Sequence, residues 1–286
     1  KSELPFPSFP YTLASMLFSI LLPVSYAMLQ LITYFVIGFV LRRRNSFSTE
    51  FFKQMSRFVV RIALPIYYFI RLSETDIGEL GSALFFPVAS LVLTSTGFTV
   101  SLLVMHLAGF RGRHERAGIA LGTFGNTSFL PLFLIEIFPL SVPLIETTFG
   151  ITTPLLYLGA FTIVQSPLLW AVANYLVSGK MGKPKFGDFI SPPIFGILAG
   201  LLVAALRIDH LIHDPMYPLF HLFNSLENVG LVIFPLMIIC LGAAIADLEG
   251  ETNVPKGTLY KMSFSVASVR LLIFPLLFLA RGRQAL

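Results

Sequence analysis

Apolar residues run along this chain in long blocks separated by short polar stretches. A helix needs roughly 20 mostly apolar residues to cross a bilayer. Eight blocks of about that size fall near 16–41, 54–71, 82–108, 117–138, 151–177, 190–206, 217–246 and 259–280. The first is too long for a signal-peptide core and has no basic flank before it, so it reads as a true span. Proline and glycine recur inside the blocks, which a bilayer tolerates where neighbouring helices satisfy the freed backbone groups. The pattern predicts an all-α polytopic membrane protein.

The charges between the blocks set an expected orientation, because short cytoplasmic loops carry the excess of Lys and Arg. Arg42, Arg43, Arg44 and Lys53 follow the first block, Arg111, Arg113 and Arg116 the third, Lys180, Lys183 and Lys185 the fifth, and Lys256 and Lys261 the seventh. The alternate loops hold Arg71 with Glu74, Asp76 and Glu79, then Glu146, then Arg207 with Asp209 and Asp214. The N-terminus is therefore expected outside, in a plasma membrane of the bacterial inner-membrane kind. Arg281 and Arg283 depart from the alternation.

Composition narrows the function classes. Of the 286 residues, 55% are hydrophobic and only 12% charged, too few charges to cover a soluble globule. The net charge of +5 is spread over short loops rather than gathered on one face, which argues against nucleic acid as a partner. Cys240 is the single cysteine, so neither an intrachain disulfide nor a cysteine metal cage is available. Zinc helix, phosphate loop, nucleophile elbow and paired intramembrane aspartates are all missing from the sequence. The chain reads as a non-enzyme with no cofactor and no metal site.

Two stretches suggest an internal repeat. SRFVVRIALPIYYFI carries Pro65 and NVGLVIFPLMIICL carries Pro235, and the two blocks run in opposite directions. Inverted-topology repeats of this kind recur in secondary transporters. Residues 1–178 would form a first five-helix repeat and 189–286 an inverted second one. A complete second repeat needs ten spans, so two further helices are expected beyond the eight blocks.

The fourth block, AGIALGTFGNTSFLPLFLIEIF, holds the strongest candidate chemistry. Gly122, Gly125, Asn126, Thr127, Ser128 and Pro131 interrupt it near its middle. Pro131 cannot donate to the Thr127 carbonyl, and Gly125 lowers the cost of unwinding. Broken helices whose half-helix ends face an anion are a common transporter site; the alternative is a kinked helix packed through small residues. Arg270 lies mid-way along the eighth block. A central arginine costs about 2.5–3.5 kcal/mol on the mild insertion scale, so it must face inward toward a substrate anion or a structural partner. Arg61, one turn before Pro65, would reach the carbonyls that Pro65 frees or snorkel to the interface as Arg57 does. Glu136 and Glu227 read as solvated interface carboxylates, and Asn224, Glu227 and Asn228 outline a vestibule. Glu227, Asn228 and Arg61 are the gating candidates. His106, Trp170 and the tyrosines read as interfacial or packing residues.

The runs LLPVSYAMLQLITYFVIGFVLRRR and FFKQMSRFVVRIALPIYYF resemble the opening of the auxin efflux carrier family of membrane transporters. GTFGNTSFLPL is similar to that family's fourth-helix crossover, and SPPIFGILAGLLVA, NVGLVIFPLMIICLGAAIA and ASVRLLIFPLL to its sixth, seventh and eighth helices. The resemblance covers nearly the whole chain and is in the family's order. It implies ten helices in two inverted repeats, with a scaffold of helices one, two, six and seven and a mobile core whose fourth and ninth helices cross. The short stretch between blocks five and six is similar to the compact, bacterial type. Carried over, the crossover falls on Asn126, Thr127, Ser128 and Pro131, while no ninth-helix counterpart is found.

The reading is a secondary transporter that moves small organic anions, auxin-like or dicarboxylate, by an elevator-like alternation around a mid-membrane site. Substrate-binding candidates are Gly125, Asn126, Thr127, Ser128, Pro131 and Arg270. Proton or sodium coupling and a homodimer are the candidate associations, beside membrane lipid. The rival reading is a transporter-like receptor or sensor that does not transport.

Overall fold

In the computed structural model of the protein, the described residues are 13–126, 129–141, 150, 152–179, 191–208, 210–248 and 254–277. Among them no strand occurs, and the fold class is the expected all-α polytopic membrane protein. The helices are α1 (Leu13–Arg43), α2 (Thr49–Phe58), α3 (Leu64–Ser73), α4 (Leu80–Ala83), α5 (Phe85–Leu107), α6 (Gly112–Thr123) and α7 (Phe129–Ser141). They continue as α8 (Thr152–Leu168), α9 (Asn174–Ser178), α10 (Pro192–Leu206), α11 (His210–His213), α12 (Pro218–Leu231), α13 (Ile233–Leu248) and α14 (Lys256–Ser268).

Five helices among the described residues are long and apolar enough to cross a membrane: Leu21–Arg43, Leu80–Leu107, Thr152–Ser178, Pro218–Leu248 and Lys256–Leu277. Pro192–Leu206 is a shorter apolar helix. The other two expected blocks are helical as well. One runs from α2 to α3 and carries Lys53, Arg57, Arg61 and Arg71, while the other is divided into α6 and α7. Large side chains such as Leu84, Leu107, Phe264 and Leu271 stand more than 70% exposed, an apolar exterior that suits lipid and not water.

Three π-turns interrupt the long helices, each beside a proline. Val59–Ala63 and Val269–Ile273 precede Pro65 and Pro275, and Leu169–Ala173 follows Pro167. A proline ring collides with the carbonyl four residues back and brings no N–H. The helix widens by one residue to pass it: Leu64 N–H donates to the Val59 carbonyl and Phe274 N–H to that of Val269, both five residues back. Arg61 and Arg270 therefore sit on the widened turns.

Helix pairing follows the small residues. α1 packs along α13, and α3 packs along α10. A Cβ at Gly38 would collide with the Ile239 backbone, and one at Gly242 with the Phe35 carbonyl. On the second pair, a Cβ at Gly196 would strike the Pro65 carbonyl, and one at Gly200 would lie 2.7 Å from that of Phe69. Gly196 and Gly200 are four apart on one face of α10, the spacing that lets helix backbones approach in lipid. In lipid, such close approach supplies the van der Waals contact that hydrophobic burial supplies in water.

Around these pairs the side chains form two buried clusters. Tyr67, Tyr68, Leu72, Phe133, Leu155, Ile197 and Ile233 belong to the larger. Met105, Phe110, Ile119, Ala120 and Leu176 form the smaller one, where α5, α6 and α9 meet. Gly196→Leu should overpack the α3–α10 contact by about 1–3 kcal/mol. Gly257→Ala has nothing within 4 Å of its new Cβ and should be neutral or stabilising. Thermal unfolding in detergent reads both, and an unchanged Tm in Gly196→Leu would refute the close packing.

Candidate functional site at the broken fourth span

The expected interruption is present. α6 ends at Thr123, Phe124 is extended at φ −101° and ψ 114°, and α7 begins at Phe129. The two halves have different neighbours. α6 packs on α5, α9 and α14, while α7 packs on α1, α8 and α13. Thr127 and Ser128 lie outside the described residues.

A helix end leaves carbonyls and N–H groups without intrahelical partners, and inside an apolar layer water cannot replace them. Two of the expected site residues supply partners. Arg270 Nε donates to the Leu121 carbonyl at 2.8 Å, so a cation sits at the C-terminal end of α6, where the helix dipole favours it. The Asn126 side-chain oxygen accepts from Leu130 N–H at 3.3 Å, capping the first turn of α7. Pro131 falls in that same first turn. Its missing N–H costs little there, because the first N–H groups of a helix have no intrahelical partner.

Gly125 and Arg270 are brought together. A Cβ on Gly125 would overlap the Arg270 guanidinium, so only glycine lets that group lie against the backbone. Arg270 Nη2 is buried and finds no hydrogen-bond partner among the described residues. No carboxylate there pairs with this arginine.

A cavity of about 790 Å³ reaches the break from the basic end of the bundle. Its walls include Arg42, Lys53, Arg57, Asn126, Cys240 and Asp247. Arg42 Nε pairs with Asp247 at 2.5 Å, tying α1 to α13, and Arg57 lies 3.5 Å from Glu50. Lys53 makes no ion pair among the described residues, so the cavity wall keeps a positive balance.

The far end holds a polar cluster that loop charges and hydropathy do not reveal. Glu136 on α7 is 8% exposed, which corrects its assignment as a solvated interface carboxylate. Tyr67 donates to Glu136, and Arg71 Nε lies 3.5 Å from the same carboxylate. Arg71 Nη1 also pairs with Glu227 on α12 at 3.2 Å. One guanidinium thus joins α3, α7 and α12. Tyr67 and Arg71 stand four residues apart on one helical face, a signal hidden because Arg71 was counted as a loop charge. Of the other gating candidates, Asn228 donates to the Asn224 carbonyl at 3.1 Å. Arg61 is exposed and joins neither cluster.

The sequence profile of the membrane transport protein family matches residues 23–185, more than half of the chain. The chain belongs to this family, that of the auxin efflux carriers. The protein is therefore an integral membrane protein of a transporter family, and the family is not one of enzymes. No curated protein and no solved structure matches it. The match spans the first five expected blocks and takes in the broken fourth span of this carrier family member.

Removing the cation of the far cluster leaves Glu136 charged and buried. Arg71→Gln should therefore cost on the order of 3 kcal/mol. Adding Glu136→Gln should restore most of it, since the buried charge goes as well. Equal thermal stability of Arg71→Gln and the unaltered protein would show that the cluster is not a buried ion pair in solution.

Proposed function

We propose that this protein is a secondary transporter of small organic anions, with its substrate site at the break between α6 and α7. The observation that carries the reading is Arg270. Its guanidinium lies against Gly125 with one nitrogen buried and without a partner, and no carboxylate among the described residues balances its charge. A buried cation in that condition favours an anion, and charge-assisted hydrogen bonds are about twice as strong as neutral ones. Asn126 orients the substrate from the start of α7, and the N-terminal end of that helix adds a favourable dipole. Thr127 and Ser128 belong to the same stretch.

The cavity supports an approach from the basic end, which the excess of Lys and Arg assigns to the cytoplasm. At the other end, Arg71, Glu136 and Glu227 hold the bundle shut. A carrier resting open on one side and closed on the other is the arrangement that alternating access requires. The reciprocal pairing of α1 with α13 and α3 with α10 supports two inverted repeats, since exchanging the halves maps one pair onto the other. The elevator-like reading follows: α1, α3, α10 and α13 form the fixed frame, and the bundle of α5, α6, α8, α9 and α14 moves against it. Auxin-like and dicarboxylate compounds are the substrate classes to try first, with proton or sodium coupling as the accompanying question.

Uptake of labelled carboxylates into proteoliposomes tests the reading. Asn126→Ala and Arg270→Ala should each lower uptake at least tenfold while the helical signal persists. Arg270→Lys keeps the charge and loses the planar fork, so retained activity assigns Arg270 to charge compensation and lost activity to bidentate contact. Uptake no faster than in empty vesicles for every carboxylate tried would favour a receptor or sensor. In a Cys240→Ala background, Asn45→Cys should label only from the cytoplasmic side and Glu79→Cys only from outside. The reverse pattern would invert the orientation.

A further inference from the structure

We infer that Ser101 on α5 and Thr123 at the end of α6 complete the Arg270 site as a carboxylate-binding pocket. Five buried side-chain polar atoms lack a hydrogen-bond partner among the described residues, and three of them are Ser101 Oγ, Thr123 Oγ1 and Arg270 Nη2. Ser101 and Arg270 flank the end of α6 that carries Thr123. The Ser101 hydroxyl and the Val269 side chain both crowd Gly122. Arg270, the next residue, spans from the Leu121 carbonyl to Gly125. Thr123 lies between the two glycines, with its Cα 3.6 Å from where a Cβ on Gly97 would stand. Ser101 itself is fully buried.

Each orphaned buried donor is destabilising, and more so when charged. Protein interiors avoid this, so three such atoms on the packed segments of α5, α6 and the Val269–Ile273 turn mark a site that a ligand satisfies. The donor set selects the ligand. A guanidinium can only donate, and a hydroxyl can donate its single proton. The ligand must therefore accept from Arg270, can accept from both hydroxyls, and must be negative to balance the guanidinium. A carboxylate has two oxygens with about four lone-pair sites and meets both conditions. A sodium ion fails, because Arg270 would repel it and offers it no lone pair. The cavity comes as far as Asn126, the residue after Gly125, while the three groups themselves lie behind its wall. Glycine at 97, 122 and 125 keeps the pocket open to these groups, as a Cβ at each would meet Phe274, Ser101 or Arg270.

This inference rests on the transport reading and names two further residues that select the substrate's headgroup. The test is calorimetry on the purified protein with acetate, malonate and indole-3-acetate as probes. The unaltered protein should bind at least one of them. Ser101→Ala and Thr123→Val should each weaken that probe about tenfold, while Thr123→Ser should stay within twofold. Because the hydroxyl is an orphan without ligand, the ligand-free Tm of Ser101→Ala should be unchanged or raised. Unchanged affinity in both Ser101→Ala and Thr123→Val would overturn the pocket and leave the transport reading standing. A fall in ligand-free Tm for Ser101→Ala would also overturn it, by showing the hydroxyl already satisfied within the protein. Failure of the unaltered protein to bind any of the three would remove the substrate site and this pocket together.

Discussion

A helix that stops inside an apolar layer leaves carbonyl and N–H groups with no water to turn to, and the contacts of Arg270 and Asn126 answer to that constraint. Arg270 reaches from the eighth span to the last turn of α6, and Asn126 turns back onto the first turn of α7. The Asn126 contact is a local cap, made to an N–H four residues on, whereas Arg270 arrives from 149 residues along the chain. The fourth span can therefore be broken only if the eighth is docked against it. The break in the fourth span is thereby tied to the assembly of the whole bundle.

The frame that holds this break uses a different kind of contact. α1 with α13 and α3 with α10 meet through glycines set against carbonyls, leaving no room for an intervening side chain. In lipid, close backbone approach replaces the hydrophobic drive that water would supply. The bundle carrying α6 meets its neighbours differently, through side chains such as Met105, Phe110 and Ile119. The helices of the frame thus meet backbone to backbone, while α5, α6 and α9 meet through side chains.

Charge divides the two ends. At one, Arg42 and Asp247 join α1 to α13 at the wall of an open cavity. At the other, Arg71 binds carboxylates from two further helices and ties α3 to α7 and α12. Both are ion pairs between spans, and their difference lies in what surrounds them. Glu136 is buried against the Tyr67 hydroxyl, whereas Arg42 and Asp247 border water-accessible space.

The amino-acid pattern alone determined the eight apolar blocks, the alternation of basic loops and the break in the fourth span. These are legible because hydropathy, loop charge and glycine or proline content act over neighbouring residues. The roles of Asn126 and Arg270 at the break were legible as candidates, since a polar or charged group at mid-span must find a partner. Which partner it finds is not a local matter. That Arg270 meets the Leu121 carbonyl and Gly125, that Glu136 is buried beneath Arg71, and that Ser101 lies beside Gly122 depend on contacts between residues far apart in sequence. Ser101 gave no signal, because a serine in an apolar helix can satisfy its own hydroxyl on the preceding turn. The tertiary structure decided these points, because only the packing of whole helices sets which buried polar atoms find partners and which stay free.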